Sequence, residues 1–336
     1  MKVRDPYFDV VKAIAIFMVI FFHVRWLAPE DMFPIYTNNF RVGMNMPVFF
    51  VLSGYFAWPT IEAHDWRKLM RTIRNWYCPA LFAGVLYTLL GLIFGISSSS
   101  SGDVAIRLAR SLFVDPWFIT TLAECYFLLF VSVAIGKRMR KGLLIVGACL
   151  VVTMCLPLFM PEKIHYGCLT SMMPHFCFGI VLRKFGVRLW EKKRVGLLCF
   201  MAFVCFTLVE GDVVTNGMSF YTADSTIRAF TSVRSSICFL LRPTIGLLGA
   251  IGVMSVIRIA LDVAPFLSHI SVIGRLTLGI YIFHLWPLER LRGIVWIGGS
   301  RMSVLLTSLA MLSIFSMVTW LLMEKTGRFR KWIWGK

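Results

Sequence analysis

The sequence has little charge, and acidic residues are especially scarce. Only 15% of its 336 residues are charged, and 17 Asp and Glu stand against 35 Lys and Arg. A soluble domain carries about 25% charged residues. Hydrophobic residues make up 58% of the chain, and they cluster in runs. This composition excludes an ordinary soluble enzyme and also a disordered chain.

Cysteine motifs and internal repeats are missing too. The nine cysteines include no Cys-x-x-Cys pair, and no His/Cys cluster has the spacing of zinc ligands. Most of the cysteines lie in apolar runs, where cysteine behaves as a small hydrophobic residue. We therefore predict neither a disulfide framework nor a metal site. The sequence also lacks the half-to-half symmetry that marks many transporters.

What the sequence does have is long apolar runs. A membrane-spanning helix needs about 20 apolar residues, and the runs predict about ten spans with only connecting loops between them. We expect an all-α, polytopic membrane protein with a single integral-membrane domain over residues 1–336 and no separate soluble domain. The predicted spans are 9–27, 43–60, 76–96, 115–135, 142–160, 167–184, 195–210, 236–258, 275–290 and 302–323.

The first apolar run allows a second interpretation, a cleaved signal peptide. Lys12 and His23 bracket the run, and no small-x-small cleavage site follows it. We therefore interpret it as a retained helix. Residues 104–113 are also ambiguous, because Arg107 and Arg110 at helical spacing suit either a surface helix or a solvated loop.

The basic residues form short clusters between the apolar runs, which argues against a nucleic-acid partner. With ten spans, 24 of the 35 Lys and Arg fall on the side that holds both termini. Because cytoplasmic loops carry the excess of Lys and Arg, this distribution predicts that both termini are cytoplasmic.

Lys12 and His23 are ionisable residues within the first predicted span. Eleven residues of helix give about 16 Å of rise and about 20° of net rotation, so the two share one face. A histidine can accept a proton at neutral pH, and the lysine could hold the far end of a long anionic donor. The alternative is a snorkelling lysine and a histidine that caps the helix at the membrane interface.

Six motifs, in order, resemble the integral-membrane acyltransferase 3 family, and more narrowly its single-domain sugar O-acetyltransferases. They are Tyr7-Phe8-Asp9 with Lys12 and His23, Met46-Pro47 to Ser53-Gly54-Tyr55, the basic residues Arg67, Lys68, Arg71 and Arg74 before Pro79, Trp117-Phe118-Ile119, Phe178-Gly179 to Lys184, and Gly274-Arg275 to Tyr281-Ile282-Phe283-His284. Two positions depart from the family pattern. Lys12 stands where many members have Arg, which removes the bidentate fork of a guanidinium, and Asn45 stands where related acetylases often have His.

The resemblance implies a reaction and a location. Cytoplasmic acyl-CoA, with acetyl-CoA as the expected donor, would acylate a sugar hydroxyl of a cell-surface polysaccharide, such as lipopolysaccharide O-antigen, or of its lipid-linked precursor. The protein would be a multi-pass resident of the bacterial cytoplasmic (inner) membrane, with acyl-CoA, the glycan and lipid as partners and no metal. A transporter or flippase for a lipid-linked glycan, or a non-catalytic partner in glycan assembly, is the alternative.

The resemblance and the chemistry together suggest catalytic residues. His23 is the expected base, acting directly or through an acyl intermediate. Glu124 is the only carboxylate well inside the fourth span and would partner His23 or Arg41. Arg41 would orient Glu124, stabilise an oxyanion or contact lipid headgroups. Ser53 would donate a hydrogen bond near the reacting carbonyl, or serve close helix packing with Gly54.

Further residues are expected to bind the two substrates. Lys12, Lys68, Arg71 and Arg74 would bind the CoA phosphates, although the last three also fit ordinary positive-inside signalling. His284 and Tyr281 would contact the acceptor or join helices by hydrogen bonds. Trp117 would stack on sugar or anchor its helix at the membrane interface, and Asn45 would contact substrate.

Overall fold

The structure is a computed structural model of the chain. It describes residues 5–29, 32–33, 40, 44–93, 117–138, 142–155, 166–209, 233–292, 294–295, 297 and 300–325. Within these ranges the regular secondary structure is helical and no strand is formed. The expectation of an all-α protein is confirmed.

In the described ranges ten α-helices coincide with the ten apolar runs. They are α1 (Tyr7–Val24), α2 (Met46–Ala63), α3 (Trp66–Ile93), α4 (Trp117–Arg138), α5 (Gly142–Cys155), α6 (Tyr166–Lys184), α7 (Lys193–Val209), α8 (Val233–Val263), α9 (Ser271–Leu291) and α10 (Arg301–Lys325). Short 3-10 helices cover Arg25–Leu27, Leu189–Glu191 and Pro265–Ile270.

Six described helical stretches are long and apolar enough to cross a membrane. They are Tyr7–Leu27, Trp66–Ile93, Trp117–Lys137, Pro243–Val263, Pro265–Leu291 and Arg301–Met323. Length is the physical criterion, because a helix rises about 1.5 Å per residue and the hydrocarbon core is about 30 Å thick. The total of ten spans and the cytoplasmic placement of the termini stay predictions.

The helix start that differs most from its predicted span is that of α3. Residues 61–75 were expected to connect two spans, but α3 begins at Trp66 and runs to Ile93. The basic residues of this segment therefore lie on the first turns of a helix. No proline or glycine interrupts residues 66–78, and Pro79 is accommodated inside the helix. Lysine and arginine are good helix formers, so a basic segment does not by itself end a helix.

The start and end of α2 have local causes. The side-chain oxygen of Asn45 accepts a hydrogen bond from the backbone N–H of Met46 at 2.7 Å, and Pro47 occupies the first turn, where its missing N–H costs nothing. The helix ends at His64, whose φ of 56° lies in the left-handed region. Its backbone N–H returns to the carbonyl of Ile61 at 3.2 Å.

The helices divide into two compact units. The first unit comprises Met1–Val19, Phe33–Asp65 and Glu124–Arg275, and the second comprises Ile20–Met32, Trp66–Ala123 and Leu276–Lys336. In the first unit α2 packs along α6, and α8 packs along α7. The expectation of a single membrane domain is not tested by this division.

Two glycines set the close approach of α2 and α6. A side chain at Gly54 would place its Cβ 2.0 Å from the carbonyl oxygen of Phe176, and one at Gly179 would place its Cβ 2.0 Å from that of Val51. Each helix thus contributes a glycine against the backbone of the other. The Ser53-Gly54 motif therefore has a packing function through its glycine.

Tyr55 of α2 also contacts α6, through Arg183. Its hydroxyl accepts a hydrogen bond from Arg183 at 3.0 Å, and the guanidinium of Arg183 also lies 5.0 Å from the Tyr55 ring centre. Phe8 and Trp190 pack against the same tyrosine, with ring centres 5.9 and 5.3 Å away. Motifs that are far apart in the sequence thus meet in the first unit.

Candidate active site

The end of α1 is held in the second unit by backbone contacts. The helix ends at Val24, one residue after His23, and continues as the short 3-10 helix Arg25–Leu27. The N–H of Ile297 donates to the carbonyl of Leu27 at 2.7 Å. Nearby, Nε of Arg301 donates to the carbonyl of Met32 at 2.9 Å. These bonds tie the segment after α1 to the start of α10.

The imidazole of His284 lies beside that of His23 in this unit. Their ring centres are 4.9 Å apart and their planes cross at 65°. His284 is buried, with 1% of its surface exposed, whereas His23 is half-buried. Two histidines from α1 and α9, predicted separately as base and substrate contact, are therefore neighbours.

The hydrogen bond of His284 defines the state of its ring. Nδ1 lies 2.6 Å from the carbonyl oxygen of Tyr281. Because a carbonyl oxygen only accepts, Nδ1 carries the proton, and Nε2 of the neutral ring presents a lone pair. Nε2 is buried and has no hydrogen-bond partner among the described residues. A buried acceptor without a hydrogen bond costs folding free energy, and such groups in native structures often have a functional role.

A line of rings extends from the two histidines toward α4. The ring centre of Tyr281 lies 5.6 Å from that of His284 and 5.0 Å from that of Phe118. Trp117 follows at 6.3 Å from Phe118. The structure thus brings His23, His284 and Tyr281 together, and Phe118 lies between Tyr281 and Trp117.

Trp26 belongs to the site and was missed by the sequence analysis. Its ring centre lies 4.4 Å from that of His23, with the planes at 86°. The signal in the sequence was its spacing, because a residue three positions after His23 lies on the same helical face. It is one of the exposed large side chains, at 36%.

Lys12 has a carboxylate partner in the first unit. Its ammonium lies 2.5 Å from the carboxylate of Asp9, three residues earlier on α1. Only 4% of the Asp9 side chain is exposed, against 24% for Lys12. Gly274 lies over the Asp9 backbone, where a Cβ would come 1.7 Å from its carbonyl oxygen.

The other predicted residues fall in separate places. Asn45 is buried and caps α2, and Ser53 is half-buried in the middle of that helix. Glu124 is half-buried about two turns into α4, in the first unit. Arg41 and residues 104–113 lie outside the described residues. The proposed partnership of Glu124 with His23 or Arg41 therefore stays a prediction.

The basic cluster lies at the start of α3. Lys68, Arg71 and Arg74 are exposed, as is Arg67. Arg67, Arg71 and Arg74 are spaced four and three residues apart, so they form one stripe along the helix. This arrangement suits a polyanion that approaches from water.

A family model described as an acyltransferase domain matches residues 5–325, nearly the whole chain. The chain belongs to the acyltransferase 3 family. No curated protein and no solved structure gives a significant match. The protein is a membrane acyltransferase.

The geometry of this acyltransferase suits proton transfer. A general base must contact the proton it abstracts and must be held in the correct tautomer. A half-buried imidazole next to a buried acceptor nitrogen is compatible with both requirements. Among the described residues of the acyltransferase, no three His, Cys, Asp or Glu side chains are grouped so that they could hold a metal ion.

Proposed function

We propose that this acyltransferase transfers an acetyl group from cytoplasmic acetyl-CoA to a sugar hydroxyl. The acceptor is a cell-surface polysaccharide, such as the O-antigen of lipopolysaccharide, or its lipid-linked precursor, and the membrane is the bacterial inner membrane. The observation that carries the proposal is the 4.9 Å approach of His23 and His284 in a chain of the acyltransferase family.

In the proposed reaction His23 accepts the proton of the acceptor hydroxyl. The oxygen attacks the thioester carbonyl, the new C–O bond forms, and the C–S bond breaks. The CoA sulfur leaves and takes up the proton from His23, so free CoA is released. The acyl group passes directly to the sugar, or first to a nitrogen of His23 and then to the sugar.

His284 acts in this scheme as a positioning residue. Its Nε2 accepts a hydrogen bond from the ring N–H of His23, which leaves the other nitrogen of His23 unprotonated and available to the hydroxyl. This bond is not formed in the structure, since Nε2 of His284 has no partner there. Catalytic hydrogen bonds are often long without substrate and tighten when substrate binds.

The acyl donor binds at the exposed basic stripe on α3. Arg71 and Arg74, with Lys68, bind the CoA phosphates, because a guanidinium forms two parallel hydrogen bonds with a phosphate. Lys12 also contacts an anionic group of the donor and exchanges its Asp9 contact for it. We also propose the roles that the sequence suggested for three further residues. Glu124 partners His23 or Arg41, Ser53 donates a hydrogen bond near the reacting carbonyl, and Asn45 contacts substrate.

The deciding experiment compares the surface glycan of cells that carry or lack this chain by mass spectrometry. We expect a mass difference of one acetyl group that disappears with His23→Ala. The matched control is His269→Ala, because Nδ1 of His269 also donates to a carbonyl three residues earlier, at 2.7 Å, but on an exposed 3-10 helix. A glycan that stays acetylated with His23→Ala would refute the proposal. A change in glycan export without a change in acetylation would indicate a transporter instead.

A further inference from the structure

Trp26 is the point where the rings of the histidine site reach the surface. His284, Phe118 and Tyr281 are 1, 7 and 8% exposed, whereas Trp26 is 36% exposed. Its ring contacts His23 at nearly a right angle, so the contact is edge to face. An exposed indole one turn from a proposed base is a candidate platform for the molecule on which that base acts.

Arg292 adds a positive charge to this platform. Its guanidinium carbon lies 5.7 Å from the centre of the Trp26 ring, and Arg292 itself is exposed directly after α9. A guanidinium above an aromatic ring keeps its N–H groups available at the edge, where they bind carboxylate or phosphate oxygens in pairs. The pair Trp26 and Arg292 thus combines an apolar surface with an anion-binding edge.

A second tryptophan–arginine pair in the same unit is packed differently. Arg290 lies 5.6 Å from the ring centre of Trp286. The Trp286 ring, however, is stacked flat on Tyr87, with ring centres 4.9 Å apart and planes at 6°. The hydroxyl of Tyr87 donates to the carbonyl of Phe283 at 3.0 Å and fixes that stack. No ring is stacked flat on Trp26 among the described residues.

We propose that Trp26 and Arg292 form the acceptor subsite and bind a sugar that carries a carboxylate or phosphate. The C–H face of the sugar packs on the indole, and the anionic group binds Arg292. A hydroxyl of the bound sugar then lies next to His23. This inference rests on the proposed function and adds the charge class of the acceptor. A tryptophan that only anchors its helix at the membrane interface is the alternative that the test must exclude.

The test measures sugar binding to the full chain in lipid nanodiscs by saturation-transfer NMR. The probes are methyl β-glucoside, methyl β-glucuronide and glucose 6-phosphate, which are respectively neutral, carboxylated and phosphorylated. We expect the two acidic sugars to bind more tightly than the neutral one. A preference for one acidic probe identifies the anionic group as carboxylate or phosphate.

Variants separate the two parts of the subsite. Trp26→Leu should weaken binding of all three probes about tenfold, the size expected for loss of one aromatic contact. Trp26→Phe should bind the probes with an affinity between those of Trp26→Leu and the wild type. This graded result would show that the weaker binding of Trp26→Leu does not come from a folding defect. Arg292→Gln should weaken only the two acidic sugars, by about tenfold.

The control is Trp320→Leu, because Trp320 is a 45% exposed tryptophan on α10 of the same unit. It should bind all three probes as the wild type does. Wild-type binding by Trp26→Leu, or no preference for acidic sugars in the wild type, would overturn the subsite. Binding that depends on Trp26 in a protein that acetylates no glycan would leave the subsite standing and refute the proposed function.

Discussion

The buried Nε2 of His284 has no hydrogen-bond partner among the described residues, and the nearest imidazole is that of His23, 4.9 Å away between ring centres. His284 belongs to the ninth helix and His23 to the first. The carbonyl of Tyr281 holds Nδ1 of His284 at 2.6 Å and so directs the lone pair to Nε2. In the proposed mechanism this buried acceptor sets the protonation of the half-buried His23.

His284→Ala is therefore expected to lower kcat for acetyl transfer by about 10- to 100-fold, the usual cost of losing a residue that orients a functional group. KM for acetyl-CoA should not change, because His284 contacts no donor group in this scheme. His284→Gln should restore part of kcat, since the glutamine Oε1 takes the place of Nε2 as an acceptor. Steady-state kinetics of CoA release in nanodiscs measure both constants.

His269→Ala serves as the control for His284, and it should leave both constants unchanged. Equal activity of the Ala and Gln variants at position 284 would show that His284 matters only for packing.

The exposed basic stripe on α3 predicts that charge reversal there weakens the binding of acetyl-CoA. Reversing Arg71 and Arg74 together to Glu should raise KM for acetyl-CoA about tenfold or more, because two cations that bind phosphate become repulsive. The effect should shrink at high salt, since both residues are exposed. The control is Lys192→Glu with Arg194→Glu, which makes the same charge change at two other exposed positions. An equal rise in KM for both pairs would point to overall charge and contradict a specific site.

The Asp9–Lys12 pair predicts an asymmetry in stability. Lys12→Met removes the ammonium next to a carboxylate that is only 4% exposed, whereas Asp9→Asn removes the carboxylate next to a lysine that is 24% exposed and can reach water. Removing one partner of a buried pair costs about 3–5 kcal/mol, and we expect Lys12→Met to approach this cost more closely. Apparent melting temperatures in nanodiscs should fall more for Lys12→Met, and the double variant should recover part of the loss. The reverse order would contradict the burial argument.

The glycine contacts between α2 and α6 predict a packing defect. Gly54→Ala and Gly179→Ala each force a Cβ to 2.0 Å from a backbone carbonyl oxygen, so the helices must separate. Both variants should lower the apparent melting temperature. Gly147→Ala on α5 is the matched control, because its Cβ meets nothing within 4 Å, and alanine is the better helix former there. Unchanged melting of Gly54→Ala would show that the helices do not pack this closely.

Asn45 distinguishes a helix cap from a substrate contact. Asn45→Asp keeps an oxygen for the Met46 N–H and should preserve stability, whereas Asn45→Ala should cost about 1 kcal/mol. If Asn45 also binds acceptor, as the sequence suggested, Asn45→Asp should raise the acceptor KM in spite of normal melting. Parallel melting and kinetic measurements separate these two roles.

The positions of the helices could be read from the sequence because of the membrane. A bilayer offers no partners to backbone N–H and C=O groups, so each long apolar run must form a helix. Ten described helices accordingly coincide with ten apolar runs. The predicted start of the third span differs from the start of its helix, because the basic segment 66–75 is also helical and lysine and arginine are good helix formers.

The sequence by itself determined the helical class, the family resemblance and the choice of His23, since these depend on local composition and on residue order. Only the tertiary structure decided that His284 lies beside His23 and that Arg292 lies over the ring of Trp26. The physical reason is that side chains on distant helices meet through packing and through bonds such as that from Ile297 to Leu27. Such contacts depend on how the helices pack, and the period of an apolar run carries no information about them.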